Sequence, residues 1–284
     1  MAAPKCPLIV FTKIYAGKDV PQMIEAAQAC LIEGFDLCLR QGFAVNPENV
    51  AQALPEAARA FARAGLVLPM AEGEGNLLSP EDPTAEPILR GMDAAGVRLL
   101  KLGYFRFDPA TQDYWAEVDK ARQAMAGWEK LARRHHVKIC LHCHMGMLTC
   151  NAATLMHVLK DADPAAIGAY IDPMHTLVEG EPFAKGAAIV GRHLCAVGLK
   201  DIMLTRAAKN DHGSSAWNMG VSAGEGLVDW TDVFATLGRL NYAGPLSLHC
   251  IVLNYAKVPP ERHVEYIRKE FEFFRRKRQE HLKG

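Results

Sequence analysis

The chain has 284 residues, half of them hydrophobic and 23% charged, which is enough apolar material for a large core and argues against disorder. Thirty-two Lys and Arg balance thirty-two Asp and Glu, so no global field draws it to nucleic acid or an anionic membrane, and the expected partner is a small molecule. One (β/α)8 barrel over residues 1–284 accounts for the length, since such barrels run to about 250 residues as single domains.

In chain order, the segment MAAPKCPLIVFTKIY holds one short apolar run broken by Thr12 and Lys13. It is too short for a membrane span and lacks a signal-peptide layout, so a cytoplasmic location is expected. Short β-rich runs then alternate with amphipathic helical stretches, the pattern of parallel strands joined by right-handed crossovers. The eight runs are LIVFTKIY from Leu8, FDLCLRQ from Phe35, LVLPMAEG from Leu66, RLLKLGY from Arg98, VKICLHCH from Val137, IGAYIDPMH from Ile167, CAVGLKDI from Cys195 and PLSLHCIV from Pro245. Asn46 ahead of Pro47 and Glu48, and Glu81-Asp82-Pro83, read as helix starts. Trp115, Val118, Met125, Trp128 and Leu131 after the fourth run, and Val264, Ile267, Phe271 and Phe274 near the end, are expected to face the core.

Met203 to Gly226 is long for a βα loop and is expected to be a functional loop or lid. In it, His212 and Trp217 could cover a ligand or simply form surface. The closing FFRRKRQEHLKG reads as a solvated face, because Glu270, Glu272 and Glu280 flank its basic run. Eight cysteines are too sparse for a disulfide scaffold, and reduced thiols are expected. Cys140 and Cys143 lie three apart on a strand, on opposite faces, so they cannot chelate one metal.

A barrel carries its chemistry where strands end. Polar residues at those ends are Arg40, Glu72, Lys101, His142 and His144, Asp172, Lys200 and His249. Strand alternation puts His142 with His144, Asp172 with Gly168 and Tyr170, and His249 with Ser247 on inward faces. A single strand-end histidine is more often structural. Four histidines (His142, His144, His175, His249) with Asp172, on three strands that converge, instead indicate a divalent-metal or acid/base site. Imidazoles with one carboxylate suit zinc, manganese or iron. Lys200, next to Asp201, is expected to face inward and to polarise a carbonyl or hold an alkoxide, the alternative being a buried ion pair. Arg40, Lys101 and Arg106 are candidates to bind substrate or to form structural salt bridges, and Glu72 could be a base, a ligand or a partner of those cations.

The ordered set GFDLCLRQGFAVNPENV, DPMHTLVEG, GLKD, GEGLVDW and GPLSLHC, spread over nearly the whole chain, resembles the xylose-isomerase-like superfamily of sugar phosphate isomerases and epimerases, with endonuclease IV and inosose dehydratase relatives. The resemblance implies a divalent ion held by a Glu after strand five, an Asp on strand six, a His on strand seven and a Glu on strand eight, and proton transfer beside a sugar carbonyl. Asp172 and His175 match the D-x-x-H element, and Lys200-Asp201 the L-K-D element. His142, Gly198 and His249 occupy the other three ligand positions, a departure that either shifts preference towards zinc-like ions or leaves the histidines to act directly.

The resulting expectation is a sugar or keto-sugar isomerase or epimerase, with a keto-sugar lyase or dehydratase as the alternative. An abasic-site endonuclease and a non-catalytic sugar-binding barrel rank below these. His142 or His144 would be the base, aided by Lys200 and Glu72. Asp172, His175, His249 and His144 would hold a zinc or manganese ion, and Arg40, Lys101, Arg106 and Trp217 would hold the carbohydrate. The sequence leaves homo-oligomerisation open.

Overall fold

The structure is a computed structural model describing residues 5–210, 213–218, 221–249 and 258–282, with the backbone alone for 206–210 and 213–218. Eight parallel strands close a barrel: β1 (Leu8–Phe11), β2 (Gly34–Cys38), β3 (Val67–Glu72), β4 (Leu99–Lys101), β5 (Lys138–His142), β6 (Ile167–Ile171), β7 (Leu194–Leu199) and β10 (Leu246–Leu248). Closure runs through the pairing of β1 with β10, where Leu8 lies opposite Leu246, and each of the eight sequence runs contributes one strand. Helices α1 (Val20–Cys30), α2 (Val50–Arg63), α3 (Ala85–Ala95), α4 (Tyr114–His135), α5 (Ala152–Leu159), α6 (Pro173–Val178), α7 (Phe183–Val190), α8 (Trp230–Arg239) and α9 (His263–His281) lie along the chain between and after these strands.

Strand alternation divides the interior into two cores. Ile9, Met70, Cys140, Tyr170, Cys195 and Ala196 point inward and fill the barrel. Their neighbours, such as Val10, Ala71, Leu141 and Leu246, face the helices in the larger outer core. Cys140 and Cys143 accordingly fall in different layers, and the seven cysteines among the described residues are free thiols. Among the described residues no helix is long and apolar enough to cross a membrane.

Three expectations need correction. Trp115 is 57% exposed, because it lies in the first turn of α4, where its ring packs beside those of Tyr114 and His157 instead of the core. Val264 is 39% exposed in the first turn of α9, and the buried stripe begins at Ile267. Asn46 caps a turn, accepting from Glu48 N, and α2 starts only at Val50. Met203 to Gly226, the expected functional loop or lid, contains an antiparallel hairpin, β8 (Met203–Asn210) with β9 (Gly213–Asn218). His212 lies outside the described residues, and of Trp217 only the backbone, paired with Leu204, is described.

Candidate active site

At the C-terminal ends of the strands is a cavity of about 290 Å³, walled in part by Phe11, Lys13, Arg40, Glu72, Tyr104, His144, Lys200 and His249. Beneath it lies a cluster of buried polar groups. His142 ends β5, Asp172 follows β6, and His175 stands one turn later on α6. The Asp172 side chain caps that helix, its Oδ1 accepting from Met174 N at 2.9 Å, so the turn that brings His175 back beside the carboxylate is fixed by Asp172 itself.

Ligand atoms of His142, Asp172 and His175 all lie within 4.8 Å of one another, and all three residues are buried. His142 Nε2, Asp172 Oδ2 and both ring nitrogens of His175 have no hydrogen-bond partner among the described residues. Buried polar atoms are rarely left so, and each orphan costs about 1–3 kcal/mol. Two imidazole nitrogens and a carboxylate oxygen converging on one point are a suitable donor set for a divalent cation, and satisfying these orphans is what such an ion would do. Gly198, at the strand-seven ligand position of the resembling family, adjoins the same carboxylate: a Cβ there would lie 3.0 Å from Asp172 Oδ2.

Charge in the cluster follows its burial. Burial, helped by Lys101, pushes the His142 imidazole well below its usual range, and burial does the same to His175 and His249. His144, only partly buried, is lowered to about 4, chiefly by burial and also by Lys200 and Lys101. Its Nδ1 lies 2.9 Å from the Met145 carbonyl oxygen, which can only accept, so Nδ1 carries the hydrogen and Nε2 the lone pair. Burial raises the Asp172 carboxyl to about 6 against the pull of Lys200.

Two more networks flank the cluster. Glu72 Oε1 receives both Arg40 and, at 3.0 Å, Lys101, whose ammonium also donates to Tyr104 OH at 3.0 Å. Tyr104 OH stands 3.2 Å from His142 Nδ1, which links this chain of charges to the cluster. For Lys101, burial alone would lower the pKa, but Glu72 and Tyr104 prevail and raise it, keeping the ammonium charged. On the far side His249 stacks on Phe11 at 4.6 Å between ring centres, and its Nε2 lies 2.8 Å from Tyr170 OH. Asp36 takes a bond from Ser247 Oγ at 2.8 Å and lies 3.7 Å from His249 Nε2; its carboxyl is raised to about 6 by burial.

The sequence candidates thus divide. His142, Asp172 and His175 meet at ligand distance. His144 packs on His175, with ring centres 3.8 Å apart, and faces the cavity; His249 also lines it, with Tyr170 and Asp36 as partners. Lys200, Arg40 and Glu72 line the cavity, and Lys101 lies directly behind them. Arg106 is exposed and stands apart from the cavity wall. Asp36, Tyr104 and Tyr170 were not singled out from the sequence. Alternation from Arg40 back along β2 points to Asp36, and Tyr170 shares a face with Asp172, but Tyr104 follows β4 and carries no such signal.

The family described as xylose isomerase-like TIM barrel matches residues 24–277. No sequence among curated proteins matches the chain. Similar solved structures include a D-psicose 3-epimerase from Clostridium cellulolyticum H10, at 15% identity over 98% of this chain and 100% of that one, with a TM-score of 0.72. A 3-keto-D-glucoside 4-epimerase from E. coli matches at 15% identity over 96% of this chain and 100% of that one, with a TM-score of 0.70. A probable 3-DHS dehydratase from Bacillus anthracis matches at 13% identity over 94% and 98%, with a TM-score of 0.69.

Proposed function

The chain belongs to the xylose isomerase-like TIM barrel family, and from that premise we propose that it is an isomerase or epimerase of a keto-sugar, moving a proton on the carbon beside a carbonyl. The observation that carries this reading is the convergence of neutral imidazoles, one with its lone pair fixed on Nε2, around a cavity underlain by the orphaned donors of His142, Asp172 and His175. The same neighbourhood of folds supports it, since the similar structures include two proteins described as sugar epimerases.

In this reading His142, Asp172 and His175 would hold a divalent ion, zinc or manganese, which would polarise the substrate carbonyl and make the neighbouring C–H more acidic. His144 takes that proton on Nε2 and is neutral at pH 7, as a base must be. The Lys200 ammonium, on the same cavity wall, steadies the oxygen on which negative charge develops. Glu72, claimed by two cations, fixes Arg40 in the cavity wall beside the carbohydrate hydroxyls, with Lys101 buried behind it. The proton taken up by His144 is returned from the same Nε2 to the carbon that receives it, and His249, braced by Phe11 and Tyr170, lines the wall beside the substrate.

The test is solvent exchange: a panel of keto-sugars is incubated with the protein in D2O, and deuterium at the carbon beside the carbonyl is followed by NMR. His144→Ala and Lys200→Ala are each expected to slow exchange by about 10²-fold or more. Undiminished exchange in both rejects the assigned roles. One similar structure is described as a probable dehydratase, and the same base beside a leaving hydroxyl would drive β-elimination. Loss of water from the product would move the assignment to a lyase.

A further inference from the structure

Resting on that proton-transfer chemistry, we propose that the substrate is an acidic keto-sugar whose carboxylate or phosphate docks between Lys13 and Arg40 at the rim of the cavity. Lys13 lies in the 3-10 turn Thr12–Tyr15 that follows β1. It is exposed, lines the cavity, and has no ion-pair partner among the described residues. An exposed lysine is usually a solvated one, but few stand in the wall of a concave polar site opposite a guanidinium.

Arg40 supplies the other half. Its Nε donates to the Gly73 carbonyl at 3.0 Å and its Nη2 to Glu72, leaving Nη1 without a bond among the described residues. The guanidinium carbon sits 5.7 Å from the centre of the Phe11 ring, so its fork is held in place while one edge remains to donate. Glu72 cannot neutralise the pair of cations it serves: one carboxylate stands between Arg40 and Lys101, and the three together carry a net positive charge. Of the other acidic groups, Asp36 and Asp172 are fully buried below the cavity in different networks, while Glu74, just past β3, accepts from Gln41 N at 3.0 Å and also acts on Arg40.

Lys13, Arg40 and Lys200 line the cavity together with Glu72, so cationic side chains outnumber carboxylates among its described lining residues. A neutral sugar would leave Lys13 without an anion and Nη1 of Arg40 without a charged acceptor, whereas an oxyanion would gain charge-assisted bonds from both. It would also set the substrate's orientation, with the charged end at β1 and β2 and the carbonyl towards β5 and β6. At about 290 Å³ the space sits at the lower end of small-molecule sites, which favours a compact acid.

Calorimetric titration of the full chain with D-fructose, 2-keto-D-gluconate and D-fructose 6-phosphate tests the inference. At least one anionic probe is expected to bind about tenfold more tightly than D-fructose, and the two anionic arms tell a carboxylate from a phosphate. Lys13→Gln should reduce anionic affinity about tenfold more than neutral affinity, and Lys13→Arg should restore it. Equal affinities, equal losses in Lys13→Gln, or binding of none of the three overturn the inference. Solvent exchange on the same probes separates the two readings. Exchange on D-fructose with no preference for acids retains the isomerase and rejects the acidic substrate; selective binding of acids without exchange on any probe does the reverse.

Discussion

His144 shows how burial sets both chemistry and stability at a single residue. Its imidazole is lowered from the usual 6.5 to about 4, so in the unfolded chain it takes up a proton at a pH where the folded protein still refuses one. Its contribution to stability is therefore complete above pH 6.5 and is lost as pH falls through about 4. At about 1.4 kcal/mol per tenfold in proton affinity the loss approaches ~3 kcal/mol, reduced by the part of the ring that water reaches. Asp36 and Asp172 work the other way. Their carboxyls rise from the usual 3.8 to about 6, and what they contribute is lost as pH rises through that value. Comparing wild type with His144→Gln isolates the first effect: in chelator-treated protein, wild type should lose up to ~3 kcal/mol relative to the variant between about pH 7 and about pH 4, read by denaturant unfolding. A difference that does not change with pH contradicts the assigned burial. The histidines were legible in the sequence because a charged or imidazole side chain at a strand end has few reasons to be there. Asp36 was not, because it sits inside the apolar run FDLC, and its inward aim appears only when the register from Arg40 is followed back. Tyr104 lies beyond its strand, where the two-residue period no longer constrains direction.

At the level of elements, the hairpin and the segment after it explain why Asp201 follows Lys200. Neighbours on a strand face opposite ways, so Lys200 enters the cavity wall while Asp201 turns outward and is fully buried. Its carboxylate accepts from the backbone N–H groups of Ile202, Gly224, Gly226 and Val228 and from Trp230 Nε1, at 2.9 to 3.3 Å. One side chain thus ties the end of β7 to the start of α8, across the base of the hairpin. Gly226 must be glycine here, since a Cβ would come within 2.0 Å of Asp201 Oδ1. GLKD and GEGLVDW, separate motifs in the sequence, are two halves of one anchor. Asp201→Asn keeps the shape but turns an N–H₂ on donors, and should destabilise the protein by about 3 kcal/mol while raising amide exchange in residues 221–230 more than in the barrel strands. Uniform exchange, or a loss under about 0.5 kcal/mol, removes the anchoring role. Strands and their inward faces could be read from alternation alone. The hairpin could not, because both of its strands lie in a stretch whose length suggested a loop, and the pairing between them is a tertiary fact. Trp115 misled for a related reason: helical spacing marks a stripe, but the first turn of α4 projects past the core that the stripe faces.

Across the whole molecule, closure of the barrel is what makes a site of residues encoded far apart. His142, Asp172 and His175 become neighbours because β5 pairs with β6 and α6 doubles back over the strand end, and Tyr170 lies opposite His142 in the strand register. Alternating elements in the sequence announced the barrel; they could not say which three of the five candidate ligands would end within reach of a single ion, since that depends on side-chain directions at the rim. Among the described residues the folded protein holds four orphaned polar atoms at this point, and an ion that takes one ligand atom from each of His142, Asp172 and His175 binds the native state and stabilises the entire fold. At a free concentration a hundredfold above Kd the gain is about 2.7 kcal/mol, which for a chain of this size corresponds to a rise in Tm of about 4–5 °C. Zinc also binds cysteine and histidine in an unfolded chain, and with eight cysteines and eleven histidines here its stabilisation is partly offset. Manganese, with less affinity for thiolates, is the cleaner probe. Asp172→Asn preserves an acceptor for the Met174 N–H and therefore the cap of α6, but removes the charge that faces the ion. Chelator-stripped wild type should gain stability with manganese, and more weakly with zinc, whereas Asp172→Asn should gain little from either. An equal rise in both proteins would place the ion elsewhere, and no rise with either metal would leave proton transfer to the imidazoles alone.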